Sequence, residues 1–179
     1  MVQTISLHHL LQEAVATPYR DLVTRATGAA VRGRIEATLA PGDGHTTRLD
    51  FSGVDCLDLS CADEIVAKLL LAAARGDRVL VLTGVREEQR EALQHVLAHH
   101  RLAVAACFRG TEAPDVLGWA TSDARAAFAG LRIHGPADTT TLASRLGWPA
   151  ERTALALDDL ARHRIARPVG GVFHPVTLP

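Results

Sequence analysis

Lysine is all but missing from this chain: Lys68 stands alone, and every other one of its 19 basic residues is arginine. Together with the many alanines this reads as a composition habit, so a single arginine marks no function by its identity. An excess of one charge is missing as well. With 19 basic and 20 acidic residues the formal net charge is −1, which excludes a strong general field for nucleic acid or an anionic membrane. Aromatic residues make up only 4% of the chain, while hydrophobic content reaches 47%, so the core must be aliphatic. Apolar runs such as Leu69 to Ala74 are far too short to span a bilayer, and no basic leader opens the sequence. A soluble cytoplasmic protein is expected.

Cysteine is scarce and odd in number. Cys56, Cys61 and Cys107 form no C-x-x-C pair, so they read as reduced thiols in or near the core. Cys61 falls at a helix start, which lowers a thiol pKa, but the carboxylates around it push the other way. No Ser-His-Asp order, glycosidase-like carboxylate pair or dinucleotide fingerprint stands out. The chain is therefore expected to be no enzyme and to need no cofactor.

What is present is a βα alternation followed by a helical tail. In RLDFSGVDCLDLSCADEIVAKLL, residues 48–70, a strand over 47–52 leads through a turn into a helix. From Ser60 the apolar positions Ala62, Ile65, Val66, Leu69, Leu70 and Ala73 form one helical stripe. Ser60 and Asp63 fit a capping box. Asp58, Ser60, Asp63 and Glu64 together place one hydroxyl among three carboxylates. They are the candidate phospho-acceptor and partner-binding residues, because a phosphate on Ser60 would meet a helix dipole that favours it and carboxylates that oppose it.

Residues 2–16 fit either a short strand or a helix. Asp21 to Thr24 reads as a strand, and a helix with Ala30, Val31, Ile35 and Leu39 apolar starts at Thr27-Gly28. Thr24, Arg25, Thr27 and Gly28 precede that helix and are candidates for holding an anion; an N-cap with a glycine for close approach is the competing explanation. Pro41-Gly42-Asp43-Gly44 reads as a loop. A strand over 78–83, a helix over 86–100 and strands at 102–108 and 116–119 follow. Glu91, His95 and His99 recur every four residues on the polar face of that helix, a spacing that suits zinc, but nothing completes a ligand set. The fold class is α/β with a mixed sheet.

The motifs carry a resemblance. Strand, D-x-S, helix, then Gly76 to Val85 (GDRVLVLTGV) and a second amphipathic helix resembles the STAS domain of sulfate transporters and anti-sigma-factor antagonists, over about residues 20–108. By position Asp58 matches that family's aspartate and Ser60 its phospho-acceptor, with Leu59 in place of the first hydroxyl and Cys61 in place of the glycine. The run Ser60-Cys61-Ala62-Asp63-Glu64 is similar to the S-F-A-D-E of a STAS-like family of unknown function. The resemblance implies a protein-interaction module whose partner is a kinase or anti-sigma-like regulator.

From about residue 120 the pattern changes: a helix over 121–133, a short helix from Asp138, a Gly147 turn, a third helix opened by Pro149, and a hairpin around Val169-Gly170-Gly171-Val172. This resembles a winged helix-turn-helix. The chain is thus expected to hold a STAS-like domain, 1–119, and a winged helix, 120–179. Arg152, Thr153 and Arg167 are its candidate DNA contacts. Residues 119–179 carry seven arginines against five carboxylates, without the clustered basic face of a DNA reader, so dimerisation or partner docking ranks above DNA binding.

Overall fold

The computed structural model describes residues 2–16, 18–39, 46–111 and 113–176; the expected loop at 41–44 lies outside them. Five strands form one sheet in the order β1 (Val2–Ser6), β3 (Thr46–Asp50), β5 (Val79–Val85), β6 (Ala103–Phe108) and β7 (Asp115–Gly118). The first four are parallel, and β7 pairs antiparallel along β6. The expected α/β class with a mixed sheet is what the chain adopts. Residues 2–16 contain both of the elements they fit, β1 and then α1 (Leu7–Val15), with Ser6 capping the helix.

The parallel strands advance in one direction across the sheet, and right-handed crossovers then place every connecting segment on the same face. These segments are α1, α2 (Arg25–Thr38), α3 (Leu59–Ala62), a π-helical turn (Asp63–Ala67), α4 (Lys68–Ala73) and α5 (Glu87–His99). Leu11, Val31, Ile35, Ile65, Leu93 and Leu97 from this layer pack on Ile5, Leu49, Leu82, Val104 and Leu117 of the sheet. Strand alternation sends Val81, Ala103, Ala105 and Val116 to the other side. That second face is equally apolar and would be bare without the tail.

The tail covers it. Helices α6 (Ser122–His134), α7 (Thr139–Leu146) and α8 (Ala150–Arg162) contribute Ala124, Ala127, Phe128, Leu131, Leu142, Leu157 and Leu160 to a core shared with those four sheet residues. All six residues of β6 are buried, as expected for a strand covered on both faces. The change of character near residue 120 is therefore a change of sheet face. Strands β8 (Ala166–Val169) and β9 (Val172–Pro175) form the expected hairpin, turning at Gly170 and Gly171 with φ of 57° and 83°, values that suit a two-residue glycine turn. Ala137 bridges to Phe173 beside it. Arg164 fastens tail to body, donating from Nη2 to the carbonyls of Ala74 and Gly76 at 3.2 and 2.6 Å.

Because the sheet is the floor of both cores, body and tail should unfold together. Fluorescence of Trp119 and Trp148 and far-UV circular dichroism should follow one transition in urea, and Phe128→Ala, which empties a site 2% exposed, should move both by about 3–5 kcal/mol. Two separated transitions would show that the tail is an independent unit.

Candidate functional site

A two-residue parallel pairing, β2 (Asp21–Leu22) with β4 (Cys56–Leu57), sets up the site. Each short strand runs into a helix, α2 after β2 and α3 after β4. The two helix starts therefore lie side by side, both presenting unpaired N–H groups and the positive ends of their dipoles. Asp58 answers both. Its Oδ1 accepts from the Cys61 N–H at 2.7 Å and from the Ser60 hydroxyl at 2.8 Å, while its Oδ2 accepts from the Thr24 N–H at 2.9 Å. Burial works against ionising this carboxyl, but donation from Cys61, Thr24 and Ser60 outweighs it and holds Asp58 below the usual aspartate range.

This corrects the expected capping box. The helix begins one residue earlier than Ser60 and its N-cap is Asp58; Ser60 lies in the first turn and Asp63 reaches away from the cap. Aspartate caps as well as serine does, so residue type alone does not separate the two choices. The other helix likewise starts at Arg25 instead of Thr27-Gly28, with Thr24 as its cap accepting from the Thr27 N–H at 3.3 Å. Ala30 is exposed, and the buried face is Gly28, Val31 and Ile35.

Thr24 has φ 71° and ψ 141°, a conformation that costs a non-glycine residue about 1–3 kcal/mol. In that conformation its N–H meets Asp58 and its carbonyl accepts from the Cys61 thiol at 3.0 Å. Burial, with Asp58 next to it, pushes the Cys61 thiol up to about 12, so this helix start does not activate the cysteine. Cys56, expected in or near the core, is exposed.

Behind the caps the two candidate clusters read separately from the sequence meet each other. Arg25 donates from Nη1 to Asp63 Oδ2 at 2.9 Å and to Glu64 Oε1 at 2.8 Å. Glu64 is only 3% exposed. It also takes Lys68, one turn on, and Arg32 Nη2 at 3.5 Å. His100 Nε2 lies 2.7 Å from Asp63 Oδ1. Lys68, with Arg25 and Arg32, outweighs burial and holds Glu64 low; for Asp63, burial is outweighed by Arg25 and His100. The acidic groups that the Thr24–Gly28 segment was expected to hold thus include the chain's own. The π-helical turn at Asp63–Ala67 carries both carboxylates, a local widening that is frequent at functional sites. Gly28 permits the approach: a Cβ there would lie 2.9 Å from Glu64 Cβ and 3.0 Å from Cys61 Cα.

On its outer side the α3 start opens into a cleft of about 630 Å³ against α5. Leu57, Leu59 and Ala92 make its apolar wall, and Asp58, Ser60, Glu88, Glu91 and His95 its polar rim. Leu59 is 50% exposed. The sequence singles out Glu91 and His95 for their spacing and gives no role to Leu59 and Glu88, because nothing local says that α5 lies beside α3. Among the described residues no three histidine, cysteine or carboxylate side chains are placed to hold a metal.

The three DNA candidates are scattered in role. Arg152 makes a two-pronged pair with Asp123 at 2.8 and 2.6 Å and lies 4.2 Å over the Trp148 ring. Thr153 is fully buried, its hydroxyl donating to the Pro149 carbonyl at 3.1 Å, and is withdrawn from any surface role. Arg167 is exposed on β8. No helix among the described residues is long and apolar enough to cross a membrane. No family model, curated protein or solved structure matches the chain.

Asp58→Ala removes the cap of α3 and its link to Thr24, and should destabilise the protein by about 2 kcal/mol in urea unfolding at neutral pH. The sign with pH follows from the lowered pKa. The carboxylate contributes fully above its unfolded value, about 3.9, and its contribution is lost as pH falls through the lower folded value. The gap between wild type and Asp58→Asn should therefore narrow as pH drops below about 4. Gly28→Ala should cost about 1–3 kcal/mol by forcing α2 off Cys61 and Glu64; thermal unfolding midpoints compare it with Gly33→Ala, where an added Cβ meets nothing within 4 Å.

Proposed function

We propose that this protein is a non-enzymatic regulator whose α3–α5 cleft docks a partner protein, with Ser60 gating the contact. The cleft carries the proposal: it joins an apolar wall with an exposed leucine to a rim of carboxylates. Glu88 and Glu91 have no cationic partner among the described residues. Such a mouth suits an apolar side chain flanked by basic ones, and apolar anchors ringed by polar groups are where interface energy concentrates. The STAS-like resemblance of residues 20–108 supports the same surface, since Ser60 occupies the phospho-acceptor position there; a kinase or an anti-sigma-like regulator is the implied partner.

The gate is physical. The Ser60 hydroxyl donates to the same Asp58 oxygen that caps Cys61. A phosphate on Ser60 cannot donate, and it places a dianion against Asp58. Asp58 must then turn away from at least one helix start, and the cleft wall formed by Asp58, Leu59 and Ser60 moves with it.

The tail reads as the output or dimerisation unit. Three helices and a hairpin in winged-helix order, with Ala137 bridging to the hairpin, support that resemblance. Besides Arg152 and the exposed Arg162 at its end, α8 displays Glu151, Leu155 at 67% exposure and Asp158. That face suits protein contact better than entry into a DNA groove, where the acids would meet phosphates.

Affinity capture from native cells, with mass spectrometry of the partners and of Ser60, tests the reading. Wild type and Ser60→Ala should recover the same partner, while Ser60→Asp and Leu59→Asp should lose it. Equal recovery by Ser60→Asp and Ser60→Ala removes the gate, and undiminished recovery by Leu59→Asp removes the cleft.

A further inference from the structure

The parallel strands have two chemically different ends. The cleft lies at their carboxyl end, beyond β4 and beside the start of α5. At the amino end, where the tail meets the sheet, arginines from distant parts of the chain gather along a seam. A groove of about 240 Å³ there is lined by Arg164, Arg167 and Pro168 from the tail and by Asp77 and Val79 at the start of β5. A smaller recess shares Arg164 and adds Arg78, Arg162 and His163. Arg75 lies between Ala74 and Gly76, the two residues whose carbonyls Arg164 grips, and lines, with Arg78 and Glu36, a neighbouring groove of about 330 Å³.

Four of these arginines, Arg75, Arg162, Arg164 and Arg167, are weakly neutralised. Arg75 and Arg167 are exposed and have no carboxylate partner among the described residues. Arg164 spends its hydrogen bonds on two neutral carbonyls, so its full charge remains. Among the described residues Arg162 has only Asp159 as a carboxylate partner, at 3.4 Å, with its own side chain 72% exposed. Among the described residues Asp77 is the one carboxylate lining either hollow. Arginines without a carboxylate partner among the described residues occur elsewhere too, Arg34 on α2 being one; what sets the seam apart is that Arg162, Arg164 and Arg167 come together there.

We propose that this seam binds the sugar-phosphate backbone of a nucleic acid, without reading bases and independently of the α3–α5 cleft. Guanidinium forks match phosphate oxygens in geometry as well as charge. The Arg164 anchor holds the cations of the tail beside those of the body. A grooved seam follows a narrow phosphate chain, whereas a flat bilayer would reach its rim alone. The acidic cleft is a β-strand length away, about 20 Å for the seven residues of β5. That exceeds the screening length of about 10 Å at 0.1 M salt, so its repulsion does not cancel the seam and disfavours binding at the other end.

The test is fluorescence anisotropy of the full chain with labelled oligonucleotides, single-stranded and duplex, at low salt. The expected result is binding that weakens with salt and that Arg75→Glu with Arg167→Glu weakens on the order of tenfold or more. The slope of log affinity against log salt should become shallower by about one for each phosphate-binding arginine replaced. Both residues are exposed, and circular dichroism checks that the double variant keeps its fold. Arg20→Glu, exposed beside β2 at the cleft end, should change nothing. No binding to either oligonucleotide, equal loss with Arg20→Glu, unchanged affinity of the double variant, or binding to anionic phosphatidylserine vesicles only would each overturn the proposal.

Discussion

Two helices that begin side by side repel each other through their dipoles and leave two sets of N–H groups unpaired, and the Asp58 carboxylate meets both demands at once. Much around it follows from that placement. Thr24 holds a costly backbone conformation that aims its N–H at Asp58. Gly28 has no side chain because α2 crosses Cys61 and Glu64 at contact distance. Asp63 and Glu64 bring further negative charge to the same region and draw in Arg25, Arg32, Lys68 and His100. Neutralising a buried carboxylate such as Glu64 needs several cations because removal from water is expensive for a lone ion. The exposed cleft is the outer surface of this arrangement.

The sheet imposes the second constraint. Strands that advance in one direction put all of their crossovers on one face, and a sheet with one apolar face in water is not viable for parallel strands. The tail supplies the missing layer. Ala103 and Ala105 line the face it covers, whereas Leu82, Val104 and Leu117 line the other, so α6 and α8 meet a shallow surface. Any signal that shifts β5 or β6 is therefore shared between body and tail through a common floor.

Local chemistry makes much of this legible in the sequence. The strands at β3, β5 and β6, the tail helices and the Gly170-Gly171 hairpin announce themselves by alternation, helical stripes and turn residues. So do the two clusters, Asp58 to Glu64 and Thr24 to Gly28. What stays hidden is their meeting, because the pairing of β2 with β4 spans 35 residues and rests on two residues per strand, too short for any periodicity. Ser60 fits the S-x-x-D pattern of a helix cap, and Asp58, two positions earlier, is as good a capping residue. Thr153 falls near a helix start, where an outward position is expected, yet its hydroxyl bonds one turn back and it packs inward. The cleft needs the placement of α5, a tertiary fact that no local pattern encodes.

Magnitudes decide whether a charge placed on Ser60 could be absorbed quietly. Two like charges about 4 Å apart repel by about 4 kcal/mol at the effective dielectric near a protein surface, and a phosphate carries nearly two. The helix dipole returns about 1 kcal/mol, up to about 2 in a partly buried site. An N-cap contributes only about 0.5–2 kcal/mol. The repulsion exceeds the cap, so Asp58 gives way before the phosphate does, and with it goes the hydrogen bond to Thr24. The strain stored at Thr24 is then no longer opposed by that hydrogen bond, which lets the α2 start relax as well. A single modification at this position therefore disturbs two helices instead of one, and the reason lies in the shared carboxylate and not in the serine itself.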